Sequence, residues 1–162
     1  MEPEIRPAQG EAEIEACARM TAESEPWLTL GYDYAAALRA LSSPARELHA
    51  ALSGGRVVGY VLLNLQGPFA GYLLSICVAP EVRSRGVGRA LVRYAEALVF
   101  EKHPNLFICV SSFNAGARRF YDRLGYEVVG ELKDYLVRGH SETLLRKSIG
   151  PLLGEKSLSN PS

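Results

Sequence analysis

The sequence contains few cysteines, and their arrangement excludes two classes of protein. The three cysteines, Cys17, Cys77 and Cys109, include no C-x-x-C pair, and each lies in an apolar or helical stretch. An odd number of scattered cysteines does not fit the disulfide framework of a small secreted domain or a zinc site built from paired thiols. We therefore expect buried, reduced thiols in a cytoplasmic protein that holds no metal.

The chain also lacks a net charge and long apolar segments. Its 18 Lys and Arg residues balance 18 Asp and Glu residues, so the overall basic charge typical of nucleic-acid-binding proteins is missing. No apolar run approaches the roughly 18 residues that a membrane-spanning helix needs, and no apolar signal segment follows the N-terminal M-E-P-E-I-R-P. We expect a protein that binds neither nucleic acid nor membranes.

The chain does have the size and composition of one globular domain. Its 162 residues are 48% apolar and 22% charged, which are ordinary values for such a domain. After the last periodic segment, the chain turns at Gly150 and Pro151 into a polar stretch. We predict a single domain over residues 1–149 and a disordered tail over residues 150–162.

Hydrophobic periodicity predicts strands and helices around a central sheet. Residues 57–65 are apolar on both faces, so we expect this strand to be central and covered by helices on both sides. Residues 25–31 contain Pro26 and Gly31 and predict a loop held by its large apolar side chains. The predicted helices are 11–22, 32–41, 86–101 and 114–124, and the predicted strands are 4–8, 46–52, 56–65, 72–78, 106–110, 126–132 and 141–148.

The order of strand, helix and strand in the middle of the chain predicts a crossover connection. We expect residues 73–78 and 106–110 to be parallel neighbours in the sheet. In an open α/β sheet, ligands bind beyond the carboxyl ends of such strands. A βαβ nucleotide-binding module is the competing fold class for this segment.

The junction between the strand at 73–78 and the following helix is rich in arginine and glycine. It contains Arg83, Arg85, Gly86 and Gly88, and Arg89 follows in the first turn of the helix. Free N–H groups and the helix dipole favour an anion at a helix N-terminus, and glycine permits a close approach of the backbone. We interpret the junction as a pyrophosphate-binding turn, although it lacks the G-x-G-x-x-G and P-loop signatures.

Two motifs resemble the signatures of one superfamily, the GNAT acyltransferases. Its R-x-x-G-x-G signature is similar to residues 83–88, and its N-x-x-A-x-x-F-Y-x-x-x-G-F signature is similar to residues 114–126. The resemblance covers residues 57–147 well and residues 1–50 loosely. It implies the α/β GNAT (acyl-CoA N-acyltransferase) fold, a mixed and mostly antiparallel sheet with a V-shaped splay and helices on both faces.

This resemblance implies an acetyl-CoA-dependent N-acetyltransferase. In the superfamily, the acetyl group of acetyl-CoA passes to a primary amine by direct attack in a ternary complex. The strand before the Gly-rich turn offers backbone groups to the pantetheine arm, and by position the thioester carbonyl would lie against the Val78 amide. The cofactor-binding residues implied in this way are Ile76, Cys77, Val78, Arg83, Ser84, Arg85, Gly86, Val87, Gly88, Arg89, Asn114, Ala117, Phe120 and Tyr121.

The resemblance also implies that Tyr121 is the catalytic acid. A phenol has a reference pKa of about 10, close to that of an alkyl thiol, so it can protonate the departing CoA sulfur. On its spacing alone, Tyr121 also fits a core aromatic residue. Asn114 likewise fits the N-cap of its helix, and this role is compatible with a contact to the pantetheine arm.

The sequence departs from the family pattern at the general base. Many relatives carry Glu at positions that correspond here to Tyr72 and Cys109, neither of which is a carboxylate. A thiol in an apolar strand has a raised pKa, which argues against Cys109 as a thiolate base. The remaining candidates are Asp134, His140 and Glu142, each of which also fits a solvated residue, and an ordered water held by backbone carbonyls and Ser111.

The acceptor is suggested by the last hairpin. Residues 134–143 are similar to the corresponding hairpin of ribosomal-protein alanine N-acetyltransferases, which favours a peptide or protein amine. We expect Trp27, Tyr32 and Tyr135 to bind the acceptor. The alternatives are a small-molecule amine of the aminoglycoside or polyamine type, and a non-catalytic acyl-CoA sensor. The zero net charge provides no broad acidic field for a polycation, and a homodimer is left open.

Overall fold

The apolar segments of the chain form a mixed sheet in the computed structural model, which describes residues 2–154. The strands are β1 (Glu4–Pro7), β2 (Glu47–Ser53), β3 (Arg56–Asn64), β4 (Tyr72–Val78), β5 (Asn105–Ser111), β6 (Glu127–Leu132) and β7 (Glu142–Ser148). Their order in the seven-stranded sheet is β1-β2-β3-β4-β5-β7-β6. Every neighbouring pair is antiparallel except β4 and β5.

Helices connect these strands, and two of them begin at a residue whose side chain caps the helix. Asp33 and Asn114 each accept a hydrogen bond from a backbone N–H in the first turn of their helices, which satisfies a group that has no intrahelical partner. The helices are α1 (Gly10–Ala22), α2 (Trp27–Leu30), α3 (Tyr34–Leu41), α4 (Val87–Phe100) and α5 (Ala115–Arg123).

The predicted loop over residues 25–31 is wrong in its middle, because Trp27–Leu30 form the short helix α2. The Glu25 carboxylate closes this turn by accepting hydrogen bonds from the Thr29 N–H at 3.1 Å and the Thr29 hydroxyl at 3.0 Å. Gly31 ends it in the left-handed conformation, with φ of 68°, which glycine adopts without steric cost. The helix turns the side chain of Trp27 toward the sheet.

Strand β3 lies at the centre of the sheet and contributes to a core on each face. Val61 and Leu63 pack with the buried face of α4, whereas Tyr60 and Leu62 pack with residues of α1 and α3. Side chains alternate between the two faces of a strand, so a strand that is apolar at every position can bury both. The prediction of a central strand covered by helices on both sides is therefore confirmed.

Strands β4 and β5 are parallel but separate after a short pairing. Only Tyr72 with Phe107 and Leu73 with Ile108 are paired. Leu73 and Ser75 of β4 face the adjacent residues Leu63 and Leu62 of β3, so Leu74 is the extra residue of a β-bulge. A bulge bends its strand and increases its twist. Beyond it the two strands diverge and leave a V-shaped gap, called the wedge below, as the resemblance implied.

The end of the described chain follows β7 as a series of turns. Residues 150–154 contain Leu152 and Leu153, both exposed. The remainder of the predicted tail, residues 155–162, lies outside the described residues. Over residues 2–154, no helix is both long and apolar enough to span a bilayer.

Candidate active site

The N-terminus of α4 faces outward and is surrounded by arginines. Gly86 is its N-cap, with φ of 85°, and no side chain caps the helix. Arg85, Arg89 and Arg93 border a cavity of about 370 Å³ at this helix end, which is also lined by Glu2. Free N–H groups, the helix dipole and three guanidinium groups all favour an anion. Arg93 lies one helical turn beyond Arg89 and outside the sequence motif, so the motif did not predict it.

The two glycines of the turn have different surroundings. A Cβ at Gly86 would meet no protein atom within 4 Å, whereas a Cβ at Gly88 would lie 3.6 Å from Phe120 and 3.7 Å from Val78. The open side of Gly86 is therefore available to a ligand. Gly88 lies where α4 approaches β4 and α5.

Arg83 is tied to the end of β4 instead of the arginine cavity. Its Nε donates to the Val78 carbonyl at 3.1 Å, and its Nη2 donates to the Ser24 hydroxyl at 3.4 Å. The Ala79 N–H donates to the Val58 carbonyl on β3 at 2.9 Å. Because backbone groups alternate in direction along a strand, the Val78 and Ile76 N–H groups point away from β3 and into the wedge.

The wedge contains a cavity of about 150 Å³ that brings several predicted residues together. Its lining includes Trp27, Ile76, Asn114, Ala117 and Tyr121, and also the carboxylate residues Glu25 and Glu142. An adjoining cavity of about 450 Å³ shares Trp27, Ile76 and Asn114 with it and adds Cys77, Val78 and Arg83. The two cavities lie side by side between the carboxyl end of β4 and the interior of the wedge, and together they are called the groove below.

Tyr121 carries an unpaired hydroxyl at the inner end of this groove. The residue is 2% exposed, and within residues 2–154 its hydroxyl has no hydrogen-bond partner. Edge-to-face contacts with Phe120 and Tyr126, at centroid distances of 5.0 and 5.3 Å, fix the ring. Burial raises the pKa of Tyr121, so the phenol keeps its proton at neutral pH and can donate it.

Asn114 serves as the N-cap of α5. Its Oδ1 accepts a hydrogen bond from the Ala117 N–H at 3.1 Å. The amide nitrogen of the same side chain is not used by this bond. Since Asn114 lines both cavities of the groove, its amide nitrogen would be the atom available to a ligand while Oδ1 caps the helix.

Glu142 enters the wedge from β7. It is paired across the strands with Ser111, whose hydroxyl donates to Glu142 Oε1 at 2.7 Å, and it is 2% exposed. Burial raises the pKa of Glu142, while the Ser111 hydrogen bond and the nearby His140 act in the opposite direction. Among the described residues it forms no salt bridge. A buried carboxylate with this environment is a candidate base.

One of the two positions where many relatives carry a Glu lines the wedge cavity together with this carboxylate, and it is occupied by Cys109. The charge of Glu142 contributes to raising the pKa of both Tyr72 and Cys109, in each case after the larger effect of burial. The raised pKa of Cys109 keeps its thiol protonated at neutral pH, which argues further against a thiolate base.

The other candidate bases do not line the wedge cavity. Asp134 is exposed in the β6–β7 turn, with φ of 52°, and its Oδ1 accepts a hydrogen bond from the Gly139 N–H at 2.7 Å. The ring of His140 packs against Phe113 at a centroid distance of 5.0 Å. Asp134 therefore stabilises the turn, and His140 influences the site through its effect on Glu142.

The expected acceptor-binding residues occupy different positions. Trp27 lines the wedge cavity and a second cavity of about 320 Å³ beside it, and Tyr32 lines only the second. Tyr135 is 57% exposed. Its neighbours Leu136 and Val137 supply the wall of the second cavity from the β6–β7 turn.

Comparison with known proteins agrees with this geometry. A sequence model of the acetyltransferase (GNAT) family matches residues 12–126. The N-alpha-acetyltransferase RimI of Mycobacterium tuberculosis is 30% identical over 157 residues, which cover 92% of this chain and 95% of that protein.

Two solved structures share the fold. The ribosomal-protein-S18-alanine N-acetyltransferase from Escherichia coli superimposes with a TM-score of 0.73 at 16% identity, over 97% of this chain and 99% of that one. An aminoglycoside 6'-N-acetyltransferase complexed with coenzyme A superimposes with a TM-score of 0.74 at 19% identity, over 91% and 98% of the two chains. At these identities the likeness concerns the fold.

Proposed function

The chain belongs to the acetyltransferase (GNAT) family, and from this premise we propose that it transfers the acetyl group of acetyl-CoA to a primary amine of a peptide or protein. One observation carries the proposal: Glu142, a buried carboxylate, and Tyr121, whose buried hydroxyl has no partner in the described chain, are both lining residues of the same small cavity. Buried polar groups of this kind reduce stability unless a ligand uses them.

The groove fits an acyl-CoA. The N-terminus of α4, with its arginines, suits the pyrophosphate, and the outward N–H groups of Ile76 and Val78 suit the pantetheine arm. The amide nitrogen of Asn114 is available on the opposite wall. Acetyl-CoA supplies a thioester, whose acetyl carbon is the group transferred.

Three groups of the wedge have complementary tasks in this proposal. The Glu142 carboxylate accepts a proton from the acceptor ammonium, which makes the amine nucleophilic. The Val78 N–H donates to the carbonyl oxygen, where negative charge develops. The neutral amine attacks the acetyl carbon and forms the N–C bond, and collapse of the tetrahedral intermediate breaks the C–S bond. The Tyr121 hydroxyl gives its proton to the departing sulfur, and the proton that the new amide nitrogen loses restores the Tyr121 phenol. Burial in the same wedge also disfavours the CoA thiolate and so raises the pKa of the CoA thiol. The pKa values of the phenol and the thiol therefore stay similar, which allows the proton to pass between them.

The choice of a peptide amine is supported by the RimI relative, which this chain resembles over nearly its whole length. The acidic residues of the site, Glu25 and Glu142, suit a single ammonium group. The zero net charge of the chain provides no extended acidic surface for a polyamine. The aminoglycoside enzyme shares the fold at an identity that does not carry its substrate over.

The test is release of free CoA over a panel of acceptors. We expect turnover with peptides that carry a free N-terminus or a lysine, and the acetylated atom is then assigned by mass spectrometry. Turnover confined to polyamines or aminoglycosides would replace the peptide with a small amine. Tight acetyl-CoA binding with no turnover on any acceptor would indicate a non-catalytic sensor.

A further inference from the structure

A second cavity lies beside the wedge, between the sheet and the helices α2 and α3. It has a volume of about 320 Å³, at the lower end of the roughly 300–1,000 Å³ typical of small-ligand pockets. Trp27, Leu30, Leu74, Ser75 and Leu136 line both this cavity and the wedge. The two spaces therefore lie side by side and share a wall.

The floor of this cavity carries three hydroxyl groups that bind one another. Ser75 donates to the Tyr60 hydroxyl at 3.2 Å, and the Tyr60 and Thr21 hydroxyls lie 2.6 Å apart. The Thr21 hydroxyl donates to the Cys17 carbonyl at 2.8 Å, so Tyr60 is the donor to Thr21. Each of the three protons is used, and the floor offers no free hydroxyl donor to a ligand.

The remaining walls are apolar, apart from one cation. Leu41, Leu62 and Val137 surround the floor. Among the described residues that line the cavity, none is acidic, and Arg46 is the charged one, exposed at the surface. A lysine or arginine side chain placed here would lose its hydration without gaining a counterion, which is unfavourable. An apolar side chain would gain from burial.

From these observations we infer that the second cavity binds an apolar side chain on the first residue of the acceptor peptide, of the size of Leu or Met. The inference rests on the proposed function. The α-amine of such a peptide lies in the wedge near Glu142. The side chain on the adjacent carbon extends past the shared lining residues into the second cavity. The enzyme then distinguishes acceptors by their first side chain.

The experiment compares short peptides that differ only in residue one, which is Leu, Met, Ala or Lys. With saturating acetyl-CoA, we expect kcat/KM for the Leu and Met peptides to exceed that for the Ala peptide by at least about tenfold. We expect the Lys peptide to be the poorest at its α-amine. Equal kcat/KM across the set would overturn the inference and leave the proposed function standing.

A cavity-filling variant makes the test specific. In Ala40→Leu, the added methyl groups occupy the cavity from α3, and we expect kcat/KM for the Leu peptide to fall at least about tenfold while the Ala peptide is little affected. The matched control is Ala35→Leu, at an exposed position of the same helix. The inference would be contradicted if Ala40→Leu lost activity on both peptides while the control kept it. It would also be contradicted if Ala40→Leu kept full activity on both peptides.

Binding of products gives a result that does not depend on turnover. N-acetyl-leucyl and N-acetyl-alanyl peptides are titrated calorimetrically into the protein saturated with CoA. We expect the leucyl peptide to bind at least about tenfold more tightly. If every peptide fails as a substrate, the proposed function is wrong. Equal affinities of the two acetylated peptides, or no binding of either, would overturn only the inference about the second cavity.

Discussion

Two side chains of the wedge, Tyr121 and Glu142, are polar, buried and poorly compensated. Tyr121 has no hydrogen-bond partner among the described residues, and Glu142 has one, the Ser111 hydroxyl. An unpaired buried hydroxyl costs about 1–3 kcal/mol of stability. Residues that only stabilised the fold would be apolar at these positions, so their chemistry is best explained by a ligand.

Substitution of Tyr121 separates catalysis from stability. We expect Tyr121→Phe to lower kcat by about 10²- to 10⁴-fold, because the proton donor to sulfur is lost, with little change in acetyl-CoA affinity. Its free energy of unfolding should be unchanged or higher, since an unpaired hydroxyl is removed. The control, Tyr60→Phe, breaks a paired hydroxyl and should lose about 1–3 kcal/mol in urea unfolding. A Tyr121→Phe protein with full kcat would exclude Tyr121 as the acid.

At the scale of elements, α5 depends on Asn114 in two ways. Asn114→Asp keeps a side-chain acceptor for the Ala117 N–H but removes the amide donor, so we expect unchanged stability and weaker acetyl-CoA binding. Asn114→Ala removes both and should also lose about 0.5–2 kcal/mol of unfolding free energy. Chemical denaturation and calorimetry measure the two effects. Equal acetyl-CoA affinity in Asn114→Asp and the wild type would limit Asn114 to capping.

The N-terminus of α4 is tested at Gly86 with a matched pair. Gly86 has φ of 85°, a conformation that Asn and Asp tolerate better than other residues. Asn and Asp therefore impose a similar backbone strain, and only Asp adds a negative charge beside the expected pyrophosphate. We expect Gly86→Asp to bind acetyl-CoA at least about tenfold more weakly than Gly86→Asn. Equal affinities in calorimetry would exclude an anion at this turn.

Hydrophobic spacing and capping residues within single segments account for most of the helices that could be predicted. Spacing within one segment predicted α1, α3, α4 and α5 within two residues of their bounds, because helix periodicity and capping are local properties. The short helix α2 was missed, since it depends on the Glu25 carboxylate and lacks the length for a periodic signal. The splay of β4 and β5 followed from the family resemblance and has no signal in either strand alone.

At the scale of the whole molecule, the sheet order explains why the sequence alone did not identify a general base. Glu142 is 31 residues from Ser111 in the chain, and only the insertion of β7 beside β5 brings it into the wedge. Its local sequence resembles that of a solvated hairpin, so burial was the missing information. In the proposed mechanism, this carboxylate from β7 takes the place of the group that Tyr72 and Cys109 do not provide.

The central claim is that Glu142 removes the proton of the acceptor amine in the wedge. The most direct measurement is the pH dependence of kcat for the wild type and Glu142→Gln, with the best peptide from the acceptor panel. A base acts when deprotonated, so kcat of the wild type should rise with pH through the pKa of Glu142. Burial raises this pKa above the ordinary value of 4.5, which shifts the rise to higher pH.

In Glu142→Gln we expect this rise to disappear and kcat to fall by about 10²- to 10⁴-fold, with acetyl-CoA affinity retained. Glu131→Gln, at an exposed position of β6, serves as the matched control and should keep the wild-type profile. A Glu142→Gln protein with the kcat and the pH profile of the wild type would contradict the account.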